Sequence, residues 1–387
     1  MGNTPLSQKS AENTDVLKSK SEIISTANNG DTKTAFRLAQ HLLERVGDDP
    51  EIMELAGILA SNSGLNEEAI KLFRGLTEHN PTQVEYHDKL IRVLLAHDRS
   101  SGQLVTACTN ALAAVGPNAT YFHALGISYA EMEKHREAIL AFDDAISINP
   151  NFKLAHRAKS VPLMMIGDHE EAIIAFTNSL ENWDRLLPND YRMECENNYD
   201  RMSHIYDQNS LHQQFSEILA EIAKPMLYDR SNLDVLDAGC GTGAMGERLR
   251  SFSRFLHGID LSNGMLSVAR KKNIYHELSH GDMSTEMAKL TRKFDIITSC
   301  CALYHVADLK PIFEQTARLL RTSGFFFFSV DPSTDKFDVA MIEPGEYAHS
   351  RRYLRKLANT YGFTEIGIYI KTHRRFPGFI CAFRRVS

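Results

Sequence analysis

Shifted by 34 residues, part of the first half of this 387-residue chain falls onto itself. Phe122, Leu125, Gly126 and Tyr129 are followed by Ala138, Phe142, Ala145 and Pro150. One period on, Ala138 lands on Ala172, Phe142 on Phe176 and Ala145 on Ser179. An earlier copy keeps Gly57, Ala69, Phe73 and Pro81 at the same mutual offsets. The segment 83–117 keeps the length but loses most of these positions, and 15–50 is a candidate for a further degenerate copy. A period of this length is that of one antiparallel helix pair. The small residues at 69, 138 and 172 let the two helices approach. The aromatics at 73, 142 and 176 are expected to fill the gap to the next pair. One pair cannot bury its apolar face alone, so several must stack. A stacked array offers a concave groove suited to a protein or peptide partner, although a structural or dimerising role fits nearly as well. A generic helical bundle is the alternative to the array.

From Trp183 to Asn232 the repeat stops. Beyond it, short apolar runs (LDVLDAG, FLHGIDLS, FDIITSCCA, FFFFSV) alternate with helical stretches (GAMGERLRSF, GMLSVARKK, DLKPIFEQTARLL). That alternation specifies a mostly parallel, doubly wound α/β sheet. The expected fold class is therefore an all-α solenoid followed by a Rossmann-like domain. Its expected segments are a disordered tail over 1–14, a repeat domain over 15–186, a linker with leading helices over 187–232, and the α/β domain over 233–387.

Composition excludes several alternatives. The formal net charge is −6, so no global field draws the chain to nucleic acid or anionic lipid. Six cysteines lie scattered at 108, 195, 240, 300, 301 and 381, with no C-x-x-C, so neither a zinc site nor a disulfide framework is indicated. A reducing, cytoplasmic setting fits them. No run of about 18 apolar residues is present, and no membrane association is expected. The chain opens Met1-Gly2, but Leu6 stands where a myristoylation signal wants Ser or Thr. The polar opening, MGNTPLSQKSAENTD, has the composition of a disordered tail.

The strand LDVLDAG runs into a glycine turn that carries two overlapping patterns. Gly239, Gly241 and Gly243 read G-x-G-x-G; Gly241, Gly243 and Gly246 read G-x-G-x-x-G, a dinucleotide fingerprint. Asp260 ends the next strand, 19 residues after Gly241, where a carboxylate can accept from ribose hydroxyls. Four features favour S-adenosylmethionine over a nicotinamide. Asp237 places a carboxylate two positions before Gly239, which suits a cationic ligand. The acid and apolar pair Asp282-Met283 in HGDM suits adenine. A loop of small residues follows FDIITSCCA. The chain ends in two strands around a turn, with no second substrate domain.

Residues from about 199 to 387 resemble the class I S-adenosylmethionine-dependent methyltransferases through VLDAGCGTG, the GIDLS run, GDM, the FDIITS run and LLRTSGFFFFSV. The helical half resembles tetratricopeptide repeats, and the whole chain looks like predicted methyltransferases that carry such repeats at the N-terminus. The resemblance implies a mixed seven-stranded sheet and S-adenosylmethionine as cofactor. It implies that Asp237, Gly239, Cys240, Gly241 and Gly243 form the loop under the methionine moiety, and that Asp260 holds the ribose. Leu261 and Met265 would flank the adenosine, and Gly281, Asp282 and Met283 the adenine. Cys300 and Cys301 would lie near the sulfonium, and Tyr199 and Tyr206 would close over the cofactor. Gly246 would be an ordinary close helix–strand contact.

Methyl transfer is an in-line displacement at an already activated carbon, so it needs positioning and desolvation, and a base only if the acceptor must lose a proton. The candidate bases are His305 and His349, each of which has a structural alternative. Tyr304 and Tyr347 are candidate lining residues for an acceptor. The acceptor stays open: small molecule, carrier-bound molecule or protein. The vicinal Cys300-Cys301 read as small residues beside the cofactor rather than as functional thiols. The basic cluster Arg351, Arg352, Arg355, Lys356, Arg374, Arg375, Arg384 and Arg385 reads as solvated helix face and strand ends, so a nucleic-acid partner is not expected. Two further functions compete with the enzyme: a repeat scaffold with a retained, non-catalytic methyltransferase fold, and a nicotinamide oxidoreductase.

Overall fold

The computed structural model describes residues 6–183, 191–374 and 376–386. They fall into two compact units, Met1–Ala155 and His156–Ser387.

The first unit is all helix: α1 (Leu6–Asn28), α2 (Thr32–Val46), α3 (Pro50–Asn62), α4 (Asn66–His79), α5 (Val84–His97), α6 (Gly102–Val115), α7 (Ala119–Glu131) and α8 (His135–Ile148), with the start of α9 (Lys153–Met165). The degenerate segments thus fold as pairs like the others. Asp31, Asp49 and Asn118 cap α2, α3 and α7 by accepting from first-turn amides, which fixes where those helices begin. Helix α1 starts at Leu6, so the expected tail over 1–14 is helical from residue 6, and residues 1–5 lie outside the described ones. Farther along α1, tertiary contacts hold the helix. Ile23 is buried in the unit's core, Val16 and Ala27 pack against it, and Lys20 pairs with Glu51 at 2.6 Å.

The repeat aromatics sit differently from expectation. A Cβ on Gly126 would stand 2.6 Å from Phe142 Cε1, and one on Gly57 would stand 2.6 Å from Phe73 Cε1. Each ring therefore presses on a bare stretch of helix backbone within its own pair, which corrects the expected bridge to the next pair. Ala69 and Ala138 are fully buried beside these rings.

The second unit begins with the last repeat pair, α9 and α10 (His169–Asn178). It continues with β1 (Glu181–Asn182), α11 (Tyr191–Met202), α12 (Ser210–Leu227), β2 (Leu233–Ala238), α13 (Ala244–Leu249), β3 (Ser253–Asp260), α14 (Asn263–Lys272), β4 (Glu277–His280) and α15 (Met283–Lys289). It ends with β5 (Phe294–Ser299), α16 (Lys310–Leu319), β6 (Leu320–Ser333), β7 (Val339–Glu343), β8 (Glu346–Ser350), α17 (Arg351–Tyr361), β9 (Phe363–His373) and β10 (Phe376–Arg385). Helix α10 belongs with the sheet physically. Phe176 packs 5.6 Å from the Phe376 ring, Glu170 accepts both guanidinium arms of Arg351 at 2.9 Å, and Thr177 Oγ1 accepts the Thr334 amide at 3.0 Å.

Seven strands run in the order β4-β3-β2-β5-β6-β10-β9, with β10 antiparallel to both of its neighbours. This is the expected mixed sheet. The far end of β6 extends it, pairing Asp331, Pro332 and Ser333 with β8, which leads on to β7 and β1. Among the described residues the sheet thus has ten strands rather than seven. Four consecutive phenylalanines show why β6 is central. Phe325 and Phe327 face α12 residues Phe215 and Leu219, while Phe326 and Phe328 face Phe313 of α16. A strand covered on both faces reads as a continuous apolar run. Among the described residues no helix is long and apolar enough to cross a membrane.

Candidate functional site

Strand β2 lies between β3 and β5, both parallel to it, so the connections leave it in opposite directions. Such a reversal opens a crevice beyond the carboxyl ends of the strands. The loop after β2 is shaped by its glycines. Gly239 has φ +78°, and a Cβ there would stand 2.4 Å from the Cβ of Ala302. No other residue type meets both demands. The amides of Gly239 and Cys240 donate to the Ile259 carbonyl at 2.8 and 2.9 Å. The Gly241 amide donates to Asp260 Oδ2 at 2.7 Å, and the Ser262 amide to Asp260 Oδ1 at 2.9 Å. One carboxylate thereby ties together the ends of two neighbouring strands. Burial raises its pKa above the ordinary value, and the two amides oppose that shift.

This crevice is a cavity of about 530 Å³. Of the expected cofactor residues, Gly239, Cys240, Gly241, Asp260 and Leu261 line it, as do Met265, Asp282, Met283, Cys300 and Tyr206. Asp282 also caps α15, accepting from the Thr285 amide at 3.0 Å. Two expected cofactor residues lie off the lining: Asp237 and Gly243. Asp237 is fully buried, with Oδ2 accepting from the Tyr275 hydroxyl at 2.6 Å and Oδ1 without a hydrogen-bond partner. Burial pushes its pKa up to about 7. Gly243 faces Tyr275 as well; a Cβ there would lie 3.0 Å from the ring. Gly246 and Gly258 would each place a Cβ within 3.0 Å of the same tyrosine, at 2.3 and 3.0 Å. The glycine at 246 therefore makes room for a side chain, which corrects the expected plain helix–strand contact.

A second cavity of about 650 Å³ adjoins the first, sharing Cys195, Tyr199, Tyr206, Cys301, His305 and Gly345 with it. At this boundary the Tyr199 hydroxyl lies 2.9 Å from the Tyr304 hydroxyl and 3.0 Å from His305 Nε2. His305 Nδ1 lies 3.1 Å from the Gly345 carbonyl, which can only accept. Nδ1 therefore carries the proton, and Nε2 is left as an acceptor for Tyr199. Burial lowers the His305 pKa, so the ring is neutral at pH 7. The other candidate base, His349, lies elsewhere. It is buried on β8 against the Ala307 carbonyl at 3.1 Å, lines neither cavity, and is pushed down to about 4 by burial.

Residues 235–324 match the methyltransferase domain family, and residues 119–152 match a tetratricopeptide repeat. The chain carries a methyltransferase domain. Among curated proteins, a ubiquinone biosynthesis O-methyltransferase of Coxiella burnetii (strain RSA 493 / Nine Mile phase I) is 31% identical over 116 residues, 29% of this chain and 50% of that protein. The enzyme of the same name from Pelagibacter ubique is 32% identical over 119 residues, covering 30% and 49%. The chain thus spans about half the length of the curated relatives it matches. Among solved structures, magnesium protoporphyrin IX methyltransferase from Synechocystis PCC 6803 is 20% identical with a TM-score of 0.42, covering 51% of this chain and 98% of that one. MamA from Desulfovibrio magneticus RS-1 is 20% identical with a TM-score of 0.38, covering 42% and 92%.

Three residues that position the site of the methyltransferase domain were not singled out from sequence. Asp200 of α11 accepts from the Ser262 hydroxyl and from the Gly264 amide at 2.8 Å, pinning α11, and with it Tyr199, onto the start of α14. Asp207 accepts from the Thr242 hydroxyl at 2.5 Å and pairs with Lys272 at 2.9 Å, tying the turn that holds Tyr206 to the glycine loop. Tyr275 is the third. No local motif marks any of them, because each acts across a long sequence separation. The C-terminal basic cluster is largely paired: Arg351 with Glu170, Arg352 with Asp338, Arg355 with Glu365, and Arg374 with Asp331 and Glu346. Arg385 donates to the Tyr361 carbonyl at 2.7 Å, and Arg375 lies outside the described residues.

Proposed function

We propose that the second unit binds S-adenosylmethionine and methylates a hydroxyl group of a small molecule held in the adjoining cavity, while the repeat unit engages a protein or peptide partner. The observation that carries the donor is Asp260. Its carboxylate is fixed by one backbone amide on each oxygen at the lip of the first cavity, leaving acceptor capacity on both oxygens for a vicinal diol. The residues fit such a group in two further ways. The loop at Gly239 has no space for a side chain, so backbone alone faces that side. Asp237 stands buried behind the loop with Oδ2 on the Tyr275 hydroxyl, where a cation held in the crevice would favour its charged form. When bound, the cofactor supplies a methyl group already activated on a sulfonium.

The chain's own contribution is then positioning, exclusion of water and proton removal. Tyr206 and Tyr199 belong to the walls of both cavities, which supports a role for them between donor and acceptor. The Tyr304 hydroxyl, the Tyr199 hydroxyl and His305 Nε2 form a connected path by which a proton leaves the acceptor side and reaches a neutral imidazole. That path favours an oxygen acceptor over one that needs no deprotonation. The names of the curated relatives, O-methyltransferases of ubiquinone biosynthesis, agree with an oxygen acceptor.

Titration calorimetry with S-adenosylmethionine and S-adenosylhomocysteine tests the donor. Binding is expected for both, with a loss of at least about tenfold in Asp260→Ala, the ~1.4 kcal/mol of one charge-assisted hydrogen bond. A tritiated-methyl assay resolved into small-molecule, protein and nucleic-acid fractions tests the acceptor, with label expected in the first. His305→Gln is expected to cut turnover about 100-fold or more while leaving donor binding intact. Absence of binding by either nucleoside would overturn the proposal.

A further inference from the structure

From His156 on, α9 and α10 belong to the second unit, and there they back the β7–β8 hairpin. Phe176 and Leu180 are buried together with Ala340 of β7 and Ala348 of β8. The short strand β1 pairs Glu181 with Met341 and Asn182 with Ala340. Arg157 of α9 reaches the end of β7, donating to Glu343 Oε1 at 2.9 Å and to the Ile342 carbonyl at 3.3 Å. Its guanidinium also lies 5.8 Å from the centre of the Phe376 ring. The methyl-transfer chemistry above uses none of these groups.

The turn that Arg157 meets is poorly held by its own strands. Pro344 and Gly345 alone join β7 to β8, and Gly345 has φ +84°. A proline followed by a glycine at positive φ is the pattern of a type II turn. The twist of such a turn runs against that of the flanking strands. The ladder is accordingly irregular between Met341 and Glu343, and Arg157 takes up the carbonyl of Ile342 between them. On its other side the turn faces the second cavity, whose wall includes Pro344, Gly345 and Glu346. There the Gly345 carbonyl accepts from His305 Nδ1 at 3.1 Å. Glu346 accepts both arms of Arg374 at 2.9 and 3.1 Å, and that guanidinium lies 3.9 Å from the centre of the Tyr304 ring. One turn therefore bears on the imidazole directly and on Tyr304 through Arg374.

We propose that Arg157 is a positioning residue for methyl transfer: by fixing the β7–β8 turn it keeps the Gly345 carbonyl on His305 Nδ1, which leaves Nε2 as the proton acceptor. The inference rests on the reading of His305 as the base. Which ring nitrogen carries the proton is set by the hydrogen bonds offered to the ring. A turn that withdraws takes the carbonyl from Nδ1 and lets the proton settle on Nε2, which closes the lone pair to Tyr199. The ion pair alone would carry little of this, because Glu343 is 64% exposed. Arg157 itself is only 22% exposed, and its bond to a main-chain carbonyl fixes backbone rather than a side chain. A helix that the sequence assigns to the repeat thus forms part of the frame of the base.

Proton placement on His305 is read by long-range proton–nitrogen NMR spectra of full-length protein carrying isotope-labelled histidine, with the signals assigned by their loss in His305→Gln. At about pH 7.5 the wild type is expected to hold the proton on Nδ1. Arg157→Ala is expected to shift the ratio of the two tautomers toward Nε2 by about fivefold, the worth of one ordinary hydrogen bond. If that variant is unfolded by circular dichroism, Glu343→Lys, which repels Arg157 from the turn, takes its place with the same expectation. Glu170→Ala frees α10 from Arg351 without touching the turn, and is expected to leave the ratio unchanged. Binding of S-adenosylhomocysteine, followed by calorimetry, is expected to match the wild type in both variants. Absence of that binding in the wild type would count against the proposed function and not against the hold of the turn on His305. A wild-type His305 protonated on Nε2, an unchanged ratio in Arg157→Ala, or an equal change in Glu170→Ala would overturn the inference.

Discussion

Asp237 is a carboxylate kept in a place that disfavours its charge. The aromatic body of Tyr275 fills the space left open at Gly243, Gly246 and Gly258, and its hydroxyl reaches Asp237 at 2.6 Å. Folding raises the pKa of Asp237 to about 7, against roughly 4 for an unfolded aspartate. A raised carboxylate means that the folded state binds the proton more tightly, so its stability declines as pH climbs through the window from about 4 to 7. Asp237→Asn keeps an acceptor for Tyr275 and removes the buried charge. It is expected to stabilise the protein at pH 8 by on the order of 2 kcal/mol, with little effect at pH 4, in urea unfolding at both pH values. Equal effects at the two values would show that the charge is not the cause. The same variant is expected to weaken binding of a cationic donor, a trade of stability against function. In the sequence the acid stood out by its place two residues before Gly239, but Tyr275 did not, because a lone tyrosine 38 residues away carries no local signal.

At the scale of the element, the repeat pairs show which part of a period is legible. Helix existence follows from apolar spacing and capping side chains, both local. What the repeat aromatic touches does not, because ring and glycine lie on different helices. Gly126→Ala makes the point quantitatively. Alanine gains up to about 1 kcal/mol in helix propensity, but its Cβ would meet Phe142 Cε1 at 2.6 Å, and overpacking costs about 1–3 kcal/mol. The substitution is expected to destabilise the first unit on balance, and Phe142→Leu added to it is expected to recover part of the loss. Denaturation of the two single variants and the double variant checks both statements. Strand β6 is the opposite case. Its four phenylalanines announce a doubly covered strand from sequence alone, while its continuation through Asp331 to Ser333 into the β8–β7–β1 ladder has no such signature.

Over the whole molecule, each unit has its own buried core, one around Phe36, Phe73 and Tyr121 and the other around Phe313, Phe326 and Phe383. Calorimetry is expected to resolve two transitions. Saturating S-adenosylhomocysteine at about 100 times its Kd is expected to raise one of them by about 2.7 kcal/mol equivalent and to leave the other in place. Movement of both would mean that the units unfold as one.

The sequence by itself determined the helix pairs, the strand–helix alternation, the glycine loop and the acids that line the crevice. Each is encoded by spacing within about one element and its neighbour. It also placed the change of architecture after the last repeat. Only the tertiary structure decided that α9 and α10 pack with the sheet, that Asp237 lies behind the loop rather than in the cavity, and that His305 keeps a lone pair toward Tyr199 while His349 is walled in. It likewise brought His373 of β9 to Asp331 of β6, 42 residues apart. Their meeting depends on strand order and register, which no short-range pattern in the chain expresses.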